Sequence, residues 1–422
     1  MTTIVSPSII NGTLVAPASK SSMQRACAAA LLHKGTTHIH NAGISNDDKA
    51  ALNIIQQLGA TIHFKNDYVE IISKGFDANI SESKTINCGE SGLSIRMFSP
   101  IAALSSSTIH INGDGSLQKR PMDFFDQIFP QLGIDIISTN GKLPLQIKGP
   151  LQPKNITIDG SLSSQFLTGF LFAFGDAATE PVTINVNDLK SKPYIDLTLN
   201  VMANFGYNIV HDNYERFIIN PKENNDNTII EYIVEGDWSS ASFLLVAGAI
   251  AGSVKLSGLD IDSAQADKAI MEVLKLCGAT INSTKDFIEI SKTDLHAFEF
   301  DATDCPDLFP PLVALAAYCK GITKIKGIHR LAAKESDRAK TLQDIFGKMG
   351  INIVLENDEM IIEGGAIKSA EVSSHHDHRI AMAAAVAALG ADGNITITEA
   401  DAINKSYPLF FEDLMQLEVG SG

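Results

Sequence analysis

The chain lacks the features that mark membrane-spanning, disulfide-stapled and nucleic-acid-binding proteins. No uninterrupted apolar run reaches the length of about 18 residues that a membrane-spanning helix needs. Cysteine is scarce, and its five residues form no Cys-x-x-Cys pair, so neither a disulfide framework nor a cysteine-ligated zinc site is expected. Basic residues number 33 against 49 acidic ones, which gives a net charge of −16. This balance argues against nucleic acid and anionic membranes as partners.

The N-terminal residues and the scattered cysteines favour a cytoplasmic protein. Met1 to Pro7 contain no basic segment followed by an apolar one, so no secretory signal is evident. Unpaired cysteines in apolar surroundings are typical of reduced core residues. At 422 residues, two domains are the default expectation.

An internal repeat is the strongest pattern in the chain. Five times, an apolar helix-like run ends on a glycine and continues as a strand-like run. Glycine takes the left-handed conformation at a helix C-terminus without steric cost. These glycines lie 74, 73, 72 and 72 residues apart, at Gly59, Gly133, Gly206, Gly278 and Gly350. Recurrence in register predicts a repeat architecture.

A second series with the same period begins with small or polar residues and continues as an apolar, alanine-rich helix. Its six openings are Ser19–Ser22, Gly89–Gly92, Ser161–Gln165, Gly236–Ser240, Cys305–Asp307 and His376–Arg379. We therefore expect six units of about 70 residues, each roughly βαβαββ, whose first helix is buried because it is apolar on nearly every side. A stacked solenoid is the alternative, but its period is usually only about 20–50 residues.

The two ends of the chain predict how the six units divide into domains. The last unit lacks its final strands, and the strand-like segment from Ile4 to Leu14 belongs to no complete unit. We expect this segment to complete the last unit. The predicted domains are 15–228, with three units, and 1–14 together with 229–422, also with three. The most polar stretch, near Asn220 to Ile230, is the expected seam.

Basic residues gather where helices are predicted to begin. A cation at a helix N-terminus opposes the helix dipole, so its recurrence indicates that an anion binds there, helped by free backbone N–H groups. The serine pairs at 21–22, 163–164 and 239–240 are expected N-caps whose hydroxyls could also serve a phosphate. The cations are Lys20 with Arg25, Lys119–Arg120, Lys192, Lys334 with Arg338, Arg379 and Lys405. Two domains that turn these helix starts toward each other would form a cleft for a polyanion.

The segment His376-Asp377-His378 contains residues that can bind a metal, but we do not expect a metal site there. Histidines two positions apart do not share a helix face, and no third cluster of ligands is evident. We expect no metal and no organic cofactor.

At these helix starts the chain resembles the family of 5-enolpyruvylshikimate-3-phosphate synthases, also called 3-phosphoshikimate 1-carboxyvinyltransferases. The resemblance covers essentially the whole chain. It rests on Ser163–Thr168, Ser191–Asp196, Val234–Asp237, Lys334–Arg338 and Asp377–Arg379. It implies two inside-out α/β domains, each of three βαβαββ units, with the active site in the interdomain cleft.

The resemblance also implies a reaction and its residues. The enolpyruvyl group of phosphoenolpyruvate would pass to the 5-hydroxyl of shikimate 3-phosphate, with release of phosphate, a step toward chorismate and the aromatic amino acids. Shikimate 3-phosphate would bind Lys20, Ser21, Arg25, Ser163, Ser164, Gln165, Ser191, Tyr194 and Lys334, with Arg330 as a further candidate. Phosphoenolpyruvate would bind Lys20, Gly92, Arg120, Gln165, Arg338, Arg379 and Lys405. We expect the enzyme to be a monomer whose only partners are these small molecules.

Three residues take catalytic roles in this resemblance. Asp307 is the implied base for the 5-hydroxyl, and its place before a buried helix is expected to raise its pKa. Glu335 is the implied acid that protonates the methylene carbon and later recovers the proton. Lys20 contributes to that proton transfer.

The chain departs from the family pattern in two places. Gln24 replaces the usual Asn before Arg25, and the loop Gly-Asn-Ala-Gly-Thr-Ala-x-Arg reads Gly89-Glu90-Ser91-Gly92-Leu93-Ser94-Ile95-Arg96. Glu90 is therefore expected to place a negative charge beside the phosphoenolpyruvate pocket.

Two other functions are compatible with parts of the pattern. The sister enzyme that uses UDP-N-acetylglucosamine typically has a cysteine before an Arg-Pro, whereas the corresponding loop, Gly115 to Pro121, has none. A non-catalytic anion-binding scaffold would not depend on Asp307 or Glu335. In an assay of phosphate release, each alternative predicts an outcome different from that of a 5-enolpyruvylshikimate-3-phosphate synthase.

Overall fold

The computed structural model describes residues 1–76, 82–222, 227–332 and 334–419. The chain separates into two compact units, which we call the N-unit (Ala18–Val234) and the C-unit (Met1–Pro17 with Glu235–Gly422). The predicted boundaries at 14/15 and 228/229 lie three and six residues earlier than these. In the expected seam at 220–230, residues 223–226 lie outside the described residues.

The helices and strands alternate as the repeat predicts. The α-helices are α1 (Lys20–Leu32), α2 (Asn46–Gln57), α3 (Gly92–Ala102), α4 (Asp123–Ile128), α5 (Ser164–Ala177), α6 (Pro193–Asn204), α7 (Trp238–Ala251), α8 (Ile270–Leu276), α9 (Phe309–Ala316), α10 (Arg338–Lys348), α11 (His378–Ala388) and α12 (Phe410–Gln416). The strands are β1 (Thr2–Val5), β2 (Ile10–Val15), β3 (Lys34–His40), β4 (Thr61–Phe64), β5 (Tyr68–Lys74), β6 (Lys84–Asn87), β7 (Ile109–Asn112), β8 (Asp135–Ile137), β9 (Leu145–Lys148), β10 (Ile156–Asp159), β11 (Val182–Asn187), β12 (Ile209–Asp212), β13 (Arg216–Ile219), β14 (Thr228–Ile233), β15 (Gly252–Ser257), β16 (Thr280–Ser283), β17 (Phe287–Ser291), β18 (Glu299–Asp301), β19 (Ile322–Lys326), β20 (Asn352–Glu356), β21 (Glu359–Glu363), β22 (Ala370–Ser373) and β23 (Ile395–Thr398).

The sheets of the described residues repeat one topology. Five have four strands, in the orders β14-β3-β5-β4, β6-β7-β9-β8, β10-β11-β13-β12, β2-β15-β17-β16 and β18-β19-β21-β20. In each, the first pair is parallel and the other pairs are antiparallel. The sixth sheet, β22-β23-β1, has three strands. The predicted α/β fold with βαβαββ repeats is confirmed.

The N-terminal segment serves two repeats, not one. The prediction that it completes the last repeat is right for β1, which pairs antiparallel with β23. β2 instead pairs in parallel with β15 and opens the fourth repeat. β14 has the same role in the first repeat, because it pairs in parallel with β3. The chain therefore leaves the N-unit only after β14, which explains why the predicted boundary at 228 is too early.

The first helix of each repeat forms the core of its unit. In the N-unit, α1, α3 and α5 pack against one another, and in the C-unit α7, α9 and α11 do so. Every residue of α7 and of α11 is buried, as their apolar composition predicts. Of the helices in the described residues, none is both long and apolar enough to cross a membrane.

The repeated glycines have the conformation that the pattern requires. Their φ angles are 120°, 75°, 80°, 83° and 87° at Gly59, Gly133, Gly206, Gly278 and Gly350. A side chain is strained in this left-handed region. The glycines thus end the second helix of five repeats at the same structural position.

The expected serine caps are only partly correct. Ser163 caps α5 by accepting from the Gln165 backbone N–H. The cap of α1 is Ser19, which accepts from Ser22 N, and the cap of α7 is Asp237, which accepts from Ser240 N. The pairs at 21–22 and 239–240 therefore lie inside the first turns of their helices.

The contact between α3 and α5 predicts a position that excludes any side chain. A Cβ at Gly169 of α5 would lie 2.5 Å from the Arg96 carbonyl oxygen of α3. We expect Gly169→Ala to lower the free energy of unfolding by about 1–3 kcal/mol, because the two backbones must separate. Urea unfolding followed by circular dichroism measures the change.

Gly347→Ala is the matched control. Gly347 lies in α10, and a Cβ there meets nothing within 4 Å, so alanine should leave stability unchanged or raise it by up to about 1 kcal/mol. Equal effects of the two substitutions would contradict the assignment of a tight helix contact at Gly169.

Candidate active site

In the C-unit, a buried arginine joins the starts of two helices. Arg338 is the first residue of α10, and only 1% of its side chain is exposed. Its Nε donates to Asp377 Oδ2 at 2.8 Å, and its Nη2 to Asp377 Oδ1 at 3.2 Å. Asp377 also caps α11 by accepting from the Arg379 backbone N–H at 3.0 Å. Burial opposes the charge of Arg338, but Asp377, Glu335 and Asp307 raise its pKa.

Asp307 lies among three cations. It belongs to a short 3₁₀ helix, Pro306–Leu308. Its Oδ1 accepts from Arg338 Nη1 at 2.7 Å and Lys334 Nζ at 3.2 Å, and its Oδ2 accepts from Arg379 Nη2 at 3.1 Å. Burial would raise its pKa, but Arg379, Lys334 and Arg338 outweigh burial and hold the pKa well below its ordinary value. The expectation of a raised pKa is therefore wrong for this structure, because it ignored the neighbouring cations.

Glu335 lies between two cations of different helices. Its Oε2 accepts from Arg338 Nη2 at 2.6 Å, and its Oε1 lies 2.9 Å from Lys405 Nζ. Lys405 ends the 3₁₀ helix Ala400–Lys405, and only 8% of its side chain is exposed. The structure thus brings the predicted residues Asp307, Glu335, Arg338 and Lys405 into one hydrogen-bonded group.

Arg379 belongs to the same group through its side chain. One Nη donates to Asp307, and the other donates to Ser239 Oγ of α7. Ser239 in turn hydrogen-bonds Asp267, a fully buried carboxyl. Burial, with the negative charge of Asp307, raises the pKa of Asp267 to about 6, against the opposing effects of Arg379 and Ser239.

The remaining predicted residues of the C-unit lie on the segment that leads into α10. Lys334 contacts Asp307, and burial lowers its pKa although Asp307 opposes that effect. Ser336 Oγ donates to Asp377 Oδ2 at 3.1 Å. Arg330 ends the short 3₁₀ helix Ile328–Arg330 that precedes this segment.

In the N-unit, the first two turns of α1 carry two predicted cations, Lys20 and Arg25. Lys20 Nζ lies 3.0 Å from Asp47 Oδ2, and Asp47 is in the first turn of α2. Arg25 Nε donates to Thr198 Oγ1 at 2.8 Å, and its two terminal nitrogens donate to the carbonyl oxygens of Ser21 at 2.8 Å and Tyr194 at 3.3 Å. Arg25 therefore connects α1 to the start of α6 and holds the backbone of two predicted ligands, Ser21 and Tyr194, in place.

The start of α3 lies against a predicted arginine. A Cβ at Gly92 would lie 2.5 Å from Arg120 Nη1, so the guanidinium occupies the space that only glycine leaves open. Ser91 caps the helix, and the hydroxyls of Ser91 and Ser94 each donate to Gln24 Oε1 at 2.8 Å. Gln24, which replaces the Asn usual in the family, thus accepts hydrogen bonds from two serines that stand where the family pattern has alanine.

Glu90 faces the loop that leads to Arg120. Its Oε2 accepts from the backbone N–H of Ser116 at 3.4 Å and from the Ser116 hydroxyl at 3.3 Å. Ser116 lies in the first turn of the 3₁₀ helix Gly115–Lys119, where a carboxylate is favourable. Glu90 therefore supports this loop, a role that its charge alone did not predict.

Two further helix starts in the N-unit carry predicted residues. Ser163, Ser164 and Gln165 open α5, and Gln165 Oε1 accepts from Arg96 Nη1 of α3 at 2.8 Å. Ser191 has φ = 54° just before α6, a conformation that is uncommon for a residue with a side chain. Tyr194 lies in the first turn of α6, and its carbonyl accepts from Arg25.

The structure does not group the His376–His378 segment into a metal site. Across the described ranges, no three His, Cys, Asp or Glu side chains are placed to hold a metal ion together. His376 Nε2 lies 3.1 Å from Glu399 Oε1, and Asp377 binds Arg338. His378 is buried at the first position of α11.

Sequence reasoning missed the residues that hold the predicted ones in place. Asp377 and Arg96 lay inside recognised motifs without an assigned role. Asp47 and Asp267 gave no local signal, because each contacts its partner only after folding. Ser239 was expected as a helix cap or a phosphate ligand, and its contact with Arg379 was not foreseen. A buried cation requires a partner, and that rule could have prompted a search for such carboxylates.

The pKa of Asp267 predicts a pH-dependent contribution to stability. An unfolded aspartate ionises near about pH 3.9, whereas folded Asp267 keeps its proton up to about pH 6. Because the pKa of Asp267 is higher in the folded state, the free energy of unfolding of wild type falls as the pH rises from about 4 to about 6. Wild type loses this stability and Asp267→Asn does not, because its amide does not ionise. The free energy of unfolding of Asp267→Asn minus that of wild type should therefore rise by about 1 kcal/mol from pH 5 to pH 8.

Urea unfolding of the C-unit followed through Trp238, the only tryptophan, measures this difference. Asp262→Asn is the control, because Asp262 is an exposed carboxylate in the same unit. The raised pKa would be contradicted if the difference in free energy of unfolding between Asp267→Asn and wild type were the same at pH 5 and at pH 8.

Comparisons with known proteins agree with the fold. A family model described as EPSP synthase (3-phosphoshikimate 1-carboxyvinyltransferase) matches residues 4–414. A 3-phosphoshikimate 1-carboxyvinyltransferase of Clostridium novyi (strain NT) is 38% identical over 417 residues, covering 96% of this chain and 95% of the relative. One of Clostridium botulinum (strain Alaska E43 / Type E3) is 37% identical over 420 residues, covering 97% and 96%.

A solved structure of similar architecture supports the same assignment. The EPSP synthase of Acinetobacter baumannii superposes with a TM-score of 0.81 at 28% identity, covering 99% of this chain and 98% of that one. The family model matches nearly the whole length, and these relatives are more than one third identical to the chain. The chain belongs to the EPSP synthase (3-phosphoshikimate 1-carboxyvinyltransferase) family.

Proposed function

We propose that the protein transfers the enolpyruvyl group of phosphoenolpyruvate to the 5-hydroxyl of shikimate 3-phosphate and releases phosphate. One observation carries the chemical part of this proposal: two carboxylates meet on one buried guanidinium. Asp307 and Glu335 accept from different terminal nitrogens of Arg338, at 2.7 and 2.6 Å. A transfer that moves one proton from a hydroxyl and another to a carbon needs two such groups close together.

The reaction proceeds in two balanced steps. Binding of the anionic substrates to Arg338 and Lys405 first lets Glu335 take up a proton. Asp307 then takes the proton of the 5-hydroxyl, whose oxygen bonds to C2 of phosphoenolpyruvate while Glu335, assisted by Lys20, gives its proton to C3. In the second step, the bond from C2 to the bridging oxygen breaks, and phosphate leaves with that oxygen and takes the proton that Asp307 holds. C3 then returns its proton to Glu335, and the enolpyruvyl double bond forms.

The low pKa of Asp307 is compatible with a base that acts only on bound substrates. Arg379, Lys334 and Arg338 depress that pKa in the structure. An anionic substrate that binds these cations neutralises part of their charge, so the pKa of Asp307 rises when the substrates are present. The carboxylate is then ionised before binding and becomes more basic when the hydroxyl arrives.

We assign the anionic groups of the substrates to the helix starts of both units. Each start offers backbone N–H groups and a cation, which together bind a phosphate or a carboxylate. Shikimate 3-phosphate binds Lys20, Ser21, Arg25, Ser163, Ser164, Gln165, Ser191, Tyr194, Arg330 and Lys334. Phosphoenolpyruvate binds Lys20, Gly92, Arg120, Gln165, Arg338, Arg379 and Lys405.

The remaining proposals concern the setting of the enzyme. Its five cysteines are free and buried, which suits a reducing compartment, and we place the protein in the cytoplasm as a monomer. Small molecules are its only proposed partners. The shikimate pathway, which leads to chorismate and the aromatic amino acids, is its proposed metabolic setting.

Phosphate release from phosphoenolpyruvate tests the proposal. Wild type should release phosphate with shikimate 3-phosphate as acceptor and not with UDP-N-acetylglucosamine. Asp307→Asn and Glu335→Gln should each lower kcat by about 100-fold or more, because each removes a proton-transfer group while keeping its shape.

Asp294→Asn serves as the control for loss of a carboxylate. Asp294 is in the C-unit, and 82% of its side chain is exposed in a surface pair with Lys320, so its kcat should equal that of wild type. Release with UDP-N-acetylglucosamine would favour the sister enzyme, whereas release with neither acceptor would refute enolpyruvyl transfer to both.

A further inference from the structure

Arg96 is a buried cation of α3 that has no role in the proposed chemistry. Only 6% of Arg96 is exposed. Its guanidinium carbon lies 5.1 Å from the centre of the Phe166 ring, within the range of a cation–π contact. Its Nη1 donates to Gln165 Oε1 at 2.8 Å. Arg96 therefore contacts two neighbouring residues at the start of α5.

The contact with Gln165 determines which way that amide is turned. A guanidinium has only hydrogen-bond donors, so the atom of Gln165 that faces it must be the oxygen. The amide nitrogen, which is bonded to the same carbon, then points away from Arg96. Gln165 is left to act toward any other group as a donor of two N–H bonds.

The surroundings hold both partners in this arrangement. Ser163 caps α5 by accepting from the Gln165 backbone N–H at 3.2 Å, which fixes the backbone beneath the side chain. Gly169, one turn further along α5, lets the helix approach the Arg96 carbonyl so closely that a Cβ would lie 2.5 Å from it. The distance from Arg96 to Gln165 is thus set by the packing of two core helices.

We propose that Arg96 is a positioning residue that holds the Gln165 amide as a donor toward the anionic oxygens of phosphoenolpyruvate. This inference rests on the proposed function, because it assumes that Gln165 contacts that substrate. Without Arg96, the amide is free to rotate and to turn its oxygen toward the anion, which is repulsive. The cation also polarises the amide, which strengthens the N–H bonds that it donates.

A double-mutant cycle tests this role through the KM for phosphoenolpyruvate. Gln165→Ala and Arg96→Met should each raise this KM, the first by about 10-fold or more for loss of a hydrogen bond to a charged group. In the Gln165→Ala background, Arg96→Met should cause no further increase, because Arg96 acts through Gln165. Arg96→Lys, which keeps a donor-only cation, should restore part of the affinity.

Arg216→Met is the matched control for loss of one arginine from the N-unit, because Arg216 is exposed on β13. It should leave the KM and kcat of wild type unchanged. Two results would overturn the proposal: an effect of Arg96→Met that is undiminished in the Gln165→Ala background, or a KM for phosphoenolpyruvate that stays at the wild-type value in Arg96→Met.

Two further measurements keep the test decisive. If Arg96→Met does not fold, the same cycle is run with Arg96→Lys, whose smaller increase in KM must also vanish in the Gln165→Ala background. If wild type releases no phosphate, the proposed function fails by itself. The role of Arg96 is then tested by the thermal stabilisation that phosphoenolpyruvate gives to each variant, which should follow the same pattern.

Discussion

The ion pairs of Arg338 are the interaction on which the candidate site depends. A guanidinium with 1% exposure is tolerated only when its charge and its N–H groups are matched. Asp377, Glu335 and Asp307 provide that match, and in doing so they join α10, α11 and the segment before α9. The carboxylates that carry the proposed proton transfers are therefore also the groups that allow the buried cation.

The proposed binding of substrate changes this balance of charge. Lys334, Arg379 and Lys405 add three cations around the same carboxylates, and in the structure they are compensated by Asp307 and Glu335. In the proposed reaction, an anionic substrate competes for these cations, which releases Asp307 to act as the base and lets Glu335 take up the proton that it gives as the acid. The same ion pairs thus serve the stability of the folded chain and the proposed catalysis.

The repeat and the buried helices could be predicted from the sequence because each leaves a local signal. A glycine that ends a helix, such as Gly206, and an apolar helix such as α7 are recognisable without knowledge of the fold. The partners of β2 and β14 were not predictable in this way, since each strand joins a sheet distant in the chain. The low pKa of Asp307 and the contact of Arg96 with Gln165 also arise only when separate helices pack together.

The fate of the bridging oxygen of phosphoenolpyruvate tests enolpyruvyl transfer most directly. Enolpyruvyl transfer requires the bond between C2 and that oxygen to break, since the 5-hydroxyl oxygen replaces it on C2. Phosphoenolpyruvate labelled with ¹⁸O at the bridge should therefore give phosphate that contains the label, detected by ³¹P NMR, when shikimate 3-phosphate is the acceptor. Unlabelled phosphate, with ¹⁸O retained on the three-carbon product, would show cleavage of the phosphorus–oxygen bond and contradict the account.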